Sequence, residues 1–195
     1  MFDYENKYKD SGLVAGIDEA GRGPLAGPVV CACVIMPLDN DKIIEGINDS
    51  KKLSPKKREE LYEKIVKTAI SYSIVEVDER TIDRINILQA TKQGMKKAIE
   101  SLNIVPSVVL IDAVKIDTTI PQVNIIKGDA LSYNIASASI LAKVYRDRLM
   151  TELAKKYPEY HFEKHKGYGT KEHIELLKKY GKCDAHRESF IGHFV

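Results

Sequence analysis

Short apolar runs alternate with longer segments of helical periodicity along this chain of 195 residues. Five segments predict strands, and those at 28–36 and 108–111 are apolar enough to be buried. The predicted strands span residues 13–17, 28–36, 71–77, 108–111 and 123–126. Strands that alternate with helices in this way are typical of an α/β layered domain.

The segments between these strands carry helix signals. Ser54 and Pro55 provide an N-cap and a first helical residue for a helix over the basic segment that follows. Residues 78–102 predict a helix with one or two breaks. Residues 128–157 predict one long helix, whose run of alanines and serines near its start favours close packing against the sheet. Residues 170–181 predict a last helix, capped by its first residue. No linker or repeat divides the chain, so one domain over residues 1–195 is predicted.

Composition narrows the class of protein. The chain is 44% hydrophobic and 30% charged, which is ordinary for a globular protein. No apolar run is long enough to span a membrane, and residues 1–11 are polar, unlike a signal peptide. The three cysteines do not form an even disulfide framework, and Cys31 and Cys33 are expected on one face of a strand, in the core. A cytoplasmic protein is the simplest interpretation.

Acidic residues follow the predicted strands or open a helix. Asp18 and Glu19 follow the first strand, Asp112 follows the fourth, and Asp129 lies at the start of the long helix. Strand ends are where α/β proteins bind ligands. Carboxylates brought together there repel one another unless a cation bridges them, and hard oxygen ligands suit Mg²⁺ or Mn²⁺. Two such ions can support phosphodiester hydrolysis. The alternative for Asp112 or Asp129 alone is a helix or turn cap.

A continuous helix removes one further acid from this group. Asp147 would lie about 27 Å along the long helix from Asp129, so the two could not share a metal centre. We expect Asp147 to pair with a neighbouring arginine instead.

The glycines after the first two acids indicate a loop at the same place. Neighbouring side chains on a strand point to opposite faces, so Asp18 and Glu19 can share a site only if the backbone turns there. Gly21 and Gly23 allow such a turn and let a ligand approach the main chain closely. We interpret this stretch as a catalytic loop.

Two segments are strongly basic although the net charge is only +2. Residues 51–67 hold seven Lys and Arg against three Glu, and residues 143–182 hold eleven against six acids. Basic segments beside an acidic cluster favour a polyanion held near a metal site. Each segment taken alone also fits a solvated helix face.

Seven motifs follow one another along the chain: Gly16-Ile-Asp-Glu-Ala-Gly-Arg-Gly-Pro24, Asn48-Asp-Ser-Lys-Lys-Leu-Ser54, Ile111-Asp112, Lys127-Gly-Asp129, Ala138-Ser-Ile-Leu-Ala-Lys-Val144, His165-Lys-Gly-Tyr-Gly-Thr170 and His186-Arg-Glu-Ser-Phe190. Together they resemble ribonuclease HII, the type 2 ribonuclease H family, over nearly the whole chain. The resemblance implies a ribonuclease H-like fold, with a central mixed five-stranded sheet flanked by helices. It places the core at about 12–157 and a helical C-terminal extension at about 158–195.

The resemblance also implies an activity and a set of site residues. It implies a metal-dependent endoribonuclease that cleaves the RNA strand of RNA–DNA hybrids. In duplex DNA it would cut on the 5′ side of a single ribonucleotide, leaving a 3′-hydroxyl and a 5′-phosphate. Two Mg²⁺ or Mn²⁺ ions would be held by the acids chosen above. The resemblance implies that Gly21, Arg22 and Gly23 contact the 2′-hydroxyl of the ribonucleotide and that Tyr168 stacks on the deoxyribose next to it. It also implies phosphate contacts for Ser50, Lys51 and Lys52.

Two other interpretations compete with this one. A related nuclease without a ribonucleotide requirement would not need the glycine loop or Tyr168. A non-catalytic hybrid-binding protein would have no need of four close carboxylates. His165, His173, His186 and Cys183 lack the spacing of a zinc site, and His186 with Arg187 is expected to hold the C-terminal segment against the body. The expected partner is the nucleic acid rather than a membrane, and the expected state is a monomer. A partner such as a sliding clamp is left open.

Overall fold

Five strands form one mixed sheet in the computed structural model, which describes residues 1–112 and 114–194. In the sheet the strands lie in the order β3-β2-β1-β4-β5. Strand β2 runs antiparallel to its neighbours β1 and β3, whereas β1 and β5 are parallel to β4, which lies between them. The predicted mixed five-stranded sheet is therefore confirmed. The strands are Val14–Ala20 (β1), Val29–Ile35 (β2), Ser71–Val77 (β3), Val108–Asp112 (β4) and Gln122–Ile125 (β5).

Eight α-helices lie in the described part of the chain. The two longest flank the sheet, one on each face, and the last three form the C-terminal extension together with a short 3-10 turn. The predicted end of that extension at residue 195 lies outside the described residues. The helices are Asp3–Tyr8 (α1), Pro55–Thr68 (α2), Glu79–Glu100 (α3), Gly128–Leu131 (α4), Tyr133–Lys156 (α5), Phe162–His165 (α6), Lys171–Tyr180 (α7) and Glu188–Ile191 (α8).

The two faces of the sheet bury different helices because successive strand residues point to opposite sides. Val30, Ala32 and Val34 of β2 pack with α2 and α5, whereas Cys31 and Cys33 pack with α3. Both cysteines are fully buried on one face, as the sequence predicts. Helix α5 lies so close to β1 that a Cβ on Gly16 would come within 2.2 Å of the Asn134 backbone, which confirms the close packing expected of its small residues.

Three sequence-based predictions needed correction. The first strand does not end before its acids, because β1 continues through Asp18 and Glu19 to Ala20, and the chain turns only at Gly21. The fifth strand is shifted one residue towards the N-terminus. The single long helix predicted from residue 128 is two helices. Ser132 has extended backbone angles, and its hydroxyl caps α5 by accepting from the Ile135 amide at 3.1 Å.

An N-terminal helix was not predicted. Helix α1 places the fully buried carboxylate of Glu5 at the start of α5. There Oε1 accepts from the Ser132 hydroxyl at 2.6 Å and from the Asn134 amide at 2.9 Å. A carboxylate at a helix N-terminus satisfies exposed amides and complements the helix dipole. Residues before 12 therefore help to fix the break between α4 and α5.

Candidate active site

The ends of two neighbouring parallel strands bring two of the predicted acids side by side. Ile17 of β1 pairs with Ile111 of β4, and each isoleucine is followed directly by an aspartate. Asp18 and Asp112 are therefore at equivalent positions on adjacent strands. The Asp112 Oδ1 accepts from the Gly128 amide at 3.3 Å, which ties the end of β4 to the start of α4 and so to Asp129.

Asp18 and Glu19 leave β1 on opposite faces of the sheet. Asp18 pairs with Ala32, whose side chain packs towards α5, and Glu19 pairs with Cys31, which packs towards α3. Asp18 accepts from the Glu19 amide at 2.8 Å, and Glu19 lies 3.5 Å from the Arg22 guanidinium. The two carboxylates nevertheless belong to one electrostatic site, because the charge of Asp112 raises the pKa of both.

Negative charge accumulates at this sheet edge. Burial is the main cause that raises the pKa of Asp18 well above its ordinary value, and the charges of Glu19, Asp112 and Asp129 add to it. Burial likewise raises the pKa of Glu19, although Arg22 opposes the shift. A site that makes ionised carboxylates unfavourable in this way is one that a cation would stabilise.

Asp129 contributes from the short helix α4. Burial raises its pKa, the charge of Asp49 adds to the increase, and Lys51 opposes it from 3.7 Å. The pKa of Lys51 is itself raised, because Asp129, Asp49, Asp18 and Asp112 together outweigh the effect of burial. Because Lys51 also opposes the raised pKa of Glu19, it interacts with all four predicted acids and supplies positive charge at this edge.

The four carboxylates have the oxygen ligands of a metal site, but their side chains are not arranged around a single ion position. Among the residues that the structure describes, no three His, Cys, Asp or Glu side chains are placed to hold an ion together. Asp18 and Asp112 accept from backbone amides, and Glu19 and Asp129 face cationic side chains. Hard carboxylate oxygens with uncompensated charge fit a divalent cation such as Mg²⁺ or Mn²⁺.

Two buried arginines hold the loop that follows the acids. The Arg187 guanidinium donates to the carbonyl oxygens of Gly21, Arg22 and Gly27, at 2.7, 3.0 and 2.6 Å for the shortest contacts. Arg146 donates to the carbonyls of Ala26, Pro28 and Lys166 at 2.9–3.0 Å. Carbonyl oxygens of this loop are therefore satisfied from the protein interior, and its shape is fixed before any ligand binds.

The two glycines of this loop have different surroundings. Gly21 has a left-handed φ of +94°, and an added Cβ would lie 2.0 Å from the Arg146 Nε. Its close approach is thus to the protein's own buried arginine. A Cβ on Gly23 would meet no heavy atom nearer than the Tyr168 ring at 3.9 Å. Gly23 is therefore the glycine with an open face.

A cleft of about 220 Å³ joins this loop to most of the predicted substrate residues. Asp18 and Glu19 line this cleft, and Tyr168, which is 44% exposed, stands beside Gly23. Lys52 is exposed in the same 3-10 turn as Ser50 and Lys51 but is not among the residues around the cleft. Lys143 lines the cleft as well, although its role was left open by the sequence. The described lining residues are Asp18–Gly23, Ser50, Lys51, Lys143 and Tyr168.

The histidines behind Tyr168 form a buried network. His173 Nδ1 contacts the Tyr168 carbonyl at 2.9 Å, and its Nε2 lies 3.1 Å from the Nε2 of His186. His186 Nδ1 accepts from the Cys183 amide at 3.0 Å, which fits neutral rings throughout. Burial, aided by the charge of His173, lowers the pKa of His186 to about 4. The network fixes the extension beneath Tyr168. The predicted attachment of this segment to the body is made by the bridge between His186 and Ala26 and by Arg187, which donates to the Gly27 carbonyl.

Asp147 lies outside the acidic site, as the sequence predicts. Its nearest cation is Lys143 at 2.7 Å, with Arg58 at 4.0 Å, so the expected arginine partner is present but is the more distant one. The argument from a continuous helix was wrong, because α4 and α5 are separate.

Sequence reasoning missed the function of Arg146 and saw only part of that of Arg187. Arg146 stands among charged residues of α5 and has the pattern of a surface position, yet it is 1% exposed. The run from Gly21 to Gly27 could have indicated a buried donor. A loop rich in glycine and proline forms no helix or strand, so its carbonyl oxygens need hydrogen-bond donors from elsewhere in the protein.

Comparison with known proteins shows the family of this chain. The family model for ribonuclease HII matches residues 15–193. This chain belongs to the ribonuclease HII family. The ribonuclease HII of Caldicellulosiruptor saccharolyticus is 60% identical over 180 residues, which cover 92% of this chain and 87% of that protein. Members of the family cleave the RNA strand of RNA–DNA hybrids, and the ribonuclease H activity predicted from the sequence is confirmed at that level.

Solved structures of relatives share the fold. The ribonuclease H2 of Pyrococcus horikoshii OT3 superposes with a TM-score of 0.77 at 29% identity, covering 91% of this chain and 93% of that one. The ribonuclease HII of Archaeoglobus fulgidus, solved as a complex with PCNA, also gives 0.77, at 28% identity and with coverage of 90% and 94%. In the described part of this chain, no helix is both long and apolar enough to cross a membrane.

Proposed function

We propose that this ribonuclease HII cuts duplex DNA on the 5′ side of a single embedded ribonucleotide, as well as the RNA strand of hybrids. The observation that carries the proposal is one cleft with two parts. Carboxylates of β1 form one end, and the open face of Gly23 beside Tyr168 forms the other. The first part has the chemistry to hydrolyse a phosphodiester, and the second can test the sugar next to it.

Asp18, Glu19, Asp112 and Asp129 would hold two divalent ions, Mg²⁺ or Mn²⁺. Such ions, when bound, lower the pKa of water and stabilise charge on phosphate oxygens. The protein's part is to place four acids at one sheet edge, where burial and mutual repulsion make the ionised forms of Asp18, Glu19 and Asp129 less favourable when no cation is present. Lys51 offsets part of that cost through Asp129, and Arg22 does so through Glu19.

Selectivity for the ribonucleotide is assigned to the loop Gly21–Gly23 and to Tyr168. Because Arg187 engages the carbonyls of Gly21 and Arg22 from inside, the outer side of the loop is left for a ligand. The 2′-hydroxyl both donates and accepts hydrogen bonds, and it is the group that distinguishes RNA from DNA. Tyr168 is positioned to stack on the next sugar, since its backbone is fixed by His165 and His173 while its ring stays exposed.

Phosphate contacts are assigned to the 3-10 turn of Ser50, Lys51 and Lys52. The turn is built by Asp49, whose carboxylate accepts from the Lys51 amide at 3.0 Å, and by Ser139, which accepts from the Ser50 amide. Contacts of this kind position a duplex without reading its sequence. A single domain over residues 1–195, a monomeric state and a cytoplasmic location remain predictions.

Three matched duplexes test the proposed function: all DNA, DNA with one ribonucleotide, and an RNA–DNA hybrid. With Mg²⁺ or Mn²⁺ present, we expect the single-ribonucleotide duplex to be cut once, 5′ of the ribonucleotide, and the all-DNA duplex to remain intact. Equal cutting of the all-DNA duplex would contradict the role given to the loop. Cutting of the hybrid alone would restrict the activity to long RNA segments.

A further inference from the structure

A second, larger cleft adjoins the candidate active site. It has a volume of about 490 Å³ and lies between α2, α5 and α6. Lys143 lines both clefts, so the second begins where the first ends. Basic residues outnumber acidic ones among the described lining residues, which are Pro55, Arg58, Glu59, Lys143, Val144, Asp147, Arg148, Thr151, Glu163, Lys164 and Lys166.

Most charges in this second cleft are already paired. Arg148 binds Glu59 and Glu63, with its guanidinium also over the ring of Tyr62. Lys164 lies 3.4 Å from Glu172. These cations are neutralised by their neighbours and have little attraction left for a ligand.

Lys166 differs from these residues. Its Nζ contacts only neutral oxygens in the described part of the chain, the Asp147 carbonyl at 3.4 Å and the Thr151 hydroxyl at 3.2 Å. The Asp147 carboxylate is held instead by Lys143 and Arg58. Burial lowers the pKa of Lys166, and it outweighs the charges of Asp147 and Glu163, which Lys143 and Arg146 partly oppose. A half-buried ammonium without a carboxylate partner is a position that an anion would stabilise.

The cleft is also rigidly connected to the substrate-binding turn. Arg58 donates to the Ser50 and Leu53 carbonyls at 2.8 and 2.7 Å, so the cleft wall and the turn move together. Lys166 belongs to the segment that carries Tyr168, and its carbonyl accepts from Arg146. A strand that contacts Tyr168 would therefore lie beside a segment that lines this cleft two residues earlier, at Lys166.

We infer that Lys166 forms a second phosphate-binding site, which takes a backbone phosphate of the substrate duplex outside the active-site cleft. The inference rests on the proposed function, because the ligand is the same ribonucleotide-containing duplex. The site would add affinity and fix the direction of the duplex without reading its sequence. It extends the contact surface from the Lys51 turn along α5.

Coupling between one lysine and one phosphate tests the site. Binding of a single-ribonucleotide duplex is measured in EDTA, with neutral methylphosphonate linkages placed one at a time along each strand. For the wild type we expect one linkage outside the cut site to weaken binding about tenfold. Lys166→Gln should weaken binding of the unmodified duplex by a similar factor. It should also lower the slope of log affinity against log salt concentration by about one. The neutral linkage that weakens binding by the wild type should then cause no further loss of affinity. Lys166→Arg should keep the coupling.

Lys178→Gln is the matched control, because it removes the same charge from an exposed position of α7 outside the cleft. If Lys166→Gln and the linkages act independently at every position, the site is refuted. Inorganic phosphate is also added as a competitor of the duplex. If Lys166→Gln weakens this competition but leaves duplex binding unchanged, the site is likewise refuted. If Lys166→Gln does not fold, Lys166→Met, which removes the charge but keeps an apolar stem in the half-buried position, must lose the coupling at the same linkage. Cleavage by the wild type is scored separately, so failure of the proposed function would be seen on its own.

Discussion

Two glycines of the same loop give the sharpest prediction, because the structure assigns them opposite functions. Gly21→Ala places a Cβ at a left-handed φ of +94° and 2.0 Å from the Arg146 Nε. The backbone strain costs about 1–2 kcal/mol, and forcing the buried arginine aside adds about 1–3 kcal/mol. A total near 3 kcal/mol corresponds to a fall in Tm of about 6–12 °C for a chain of this length.

Gly23→Ala is the matched variant. Its Cβ would meet no atom nearer than 3.9 Å, and its φ lies outside the left-handed region, so stability should change by less than about 1 kcal/mol. The added methyl group instead occupies the open face beside Tyr168. We expect cleavage of the single-ribonucleotide duplex to fall by about tenfold or more, because a 1 Å displacement at a reacting centre has effects of that size.

The assay pairs thermal unfolding with single-turnover cleavage for both variants. Gly21→Ala should show a lower Tm than the wild type. Gly23→Ala should show reduced cleavage at the Tm of the wild type. An unchanged Tm for Gly21→Ala would show that Arg146 is not packed as described. Unchanged cleavage by Gly23→Ala would remove the evidence for a sugar at this face.

Three other variants test separate parts of the site. Asp18→Asn should abolish cleavage yet stabilise the metal-free protein. Since the pKa of Asp18 is raised from 3.8, wild-type stability falls as pH rises from that value through the raised pKa, and urea unfolding in EDTA should show the gap between the two proteins widening over that range. Arg187→Gln should cost about 3 kcal/mol or more in urea unfolding, because several buried carbonyls lose their donor, and Arg187→Lys should not restore it. Tyr168→Ala should raise KM for the single-ribonucleotide duplex about tenfold while leaving the Tm nearly unchanged, and Tyr168→Phe should retain stacking and wild-type KM.

Local patterns in the sequence predicted the parts of the site that lie on strands. Asp18 and Asp112 each follow a short apolar run, which predicted their place at strand ends. The structure adds the parallel pairing of Ile17 with Ile111 that brings them side by side. Asp129 was predicted at a helix start and is found at one, although the helix is only four residues long.

The parts that failed depend on contacts between residues far apart in sequence. The break between α4 and α5 is fixed by Glu5, which lies 127 residues before Ser132. Periodicity within residues 128–157 carries no trace of that contact. The loop is held by Arg187, 166 residues after Gly21, and a buried arginine has the same sequence pattern as an exposed one. Helix and strand periodicity therefore predicted the layers of the fold. The buried polar contacts could be identified only from the structure, because they join residues far apart in sequence.

The central claim is that Asp18, Glu19, Asp112 and Asp129 form the metal site needed for cleavage. The loop Gly21–Gly23 selects the phosphodiester that is cut. Cleavage of a duplex containing one ribonucleotide, mapped at nucleotide resolution for the wild type and Asp112→Asn, tests it most directly. We expect the wild type to leave a 3′-hydroxyl and a 5′-phosphate at a single cut 5′ of the ribonucleotide, and Asp112→Asn to bind the duplex without cutting it. Near-normal turnover by Asp112→Asn, or cuts spread along the strand, would contradict the account.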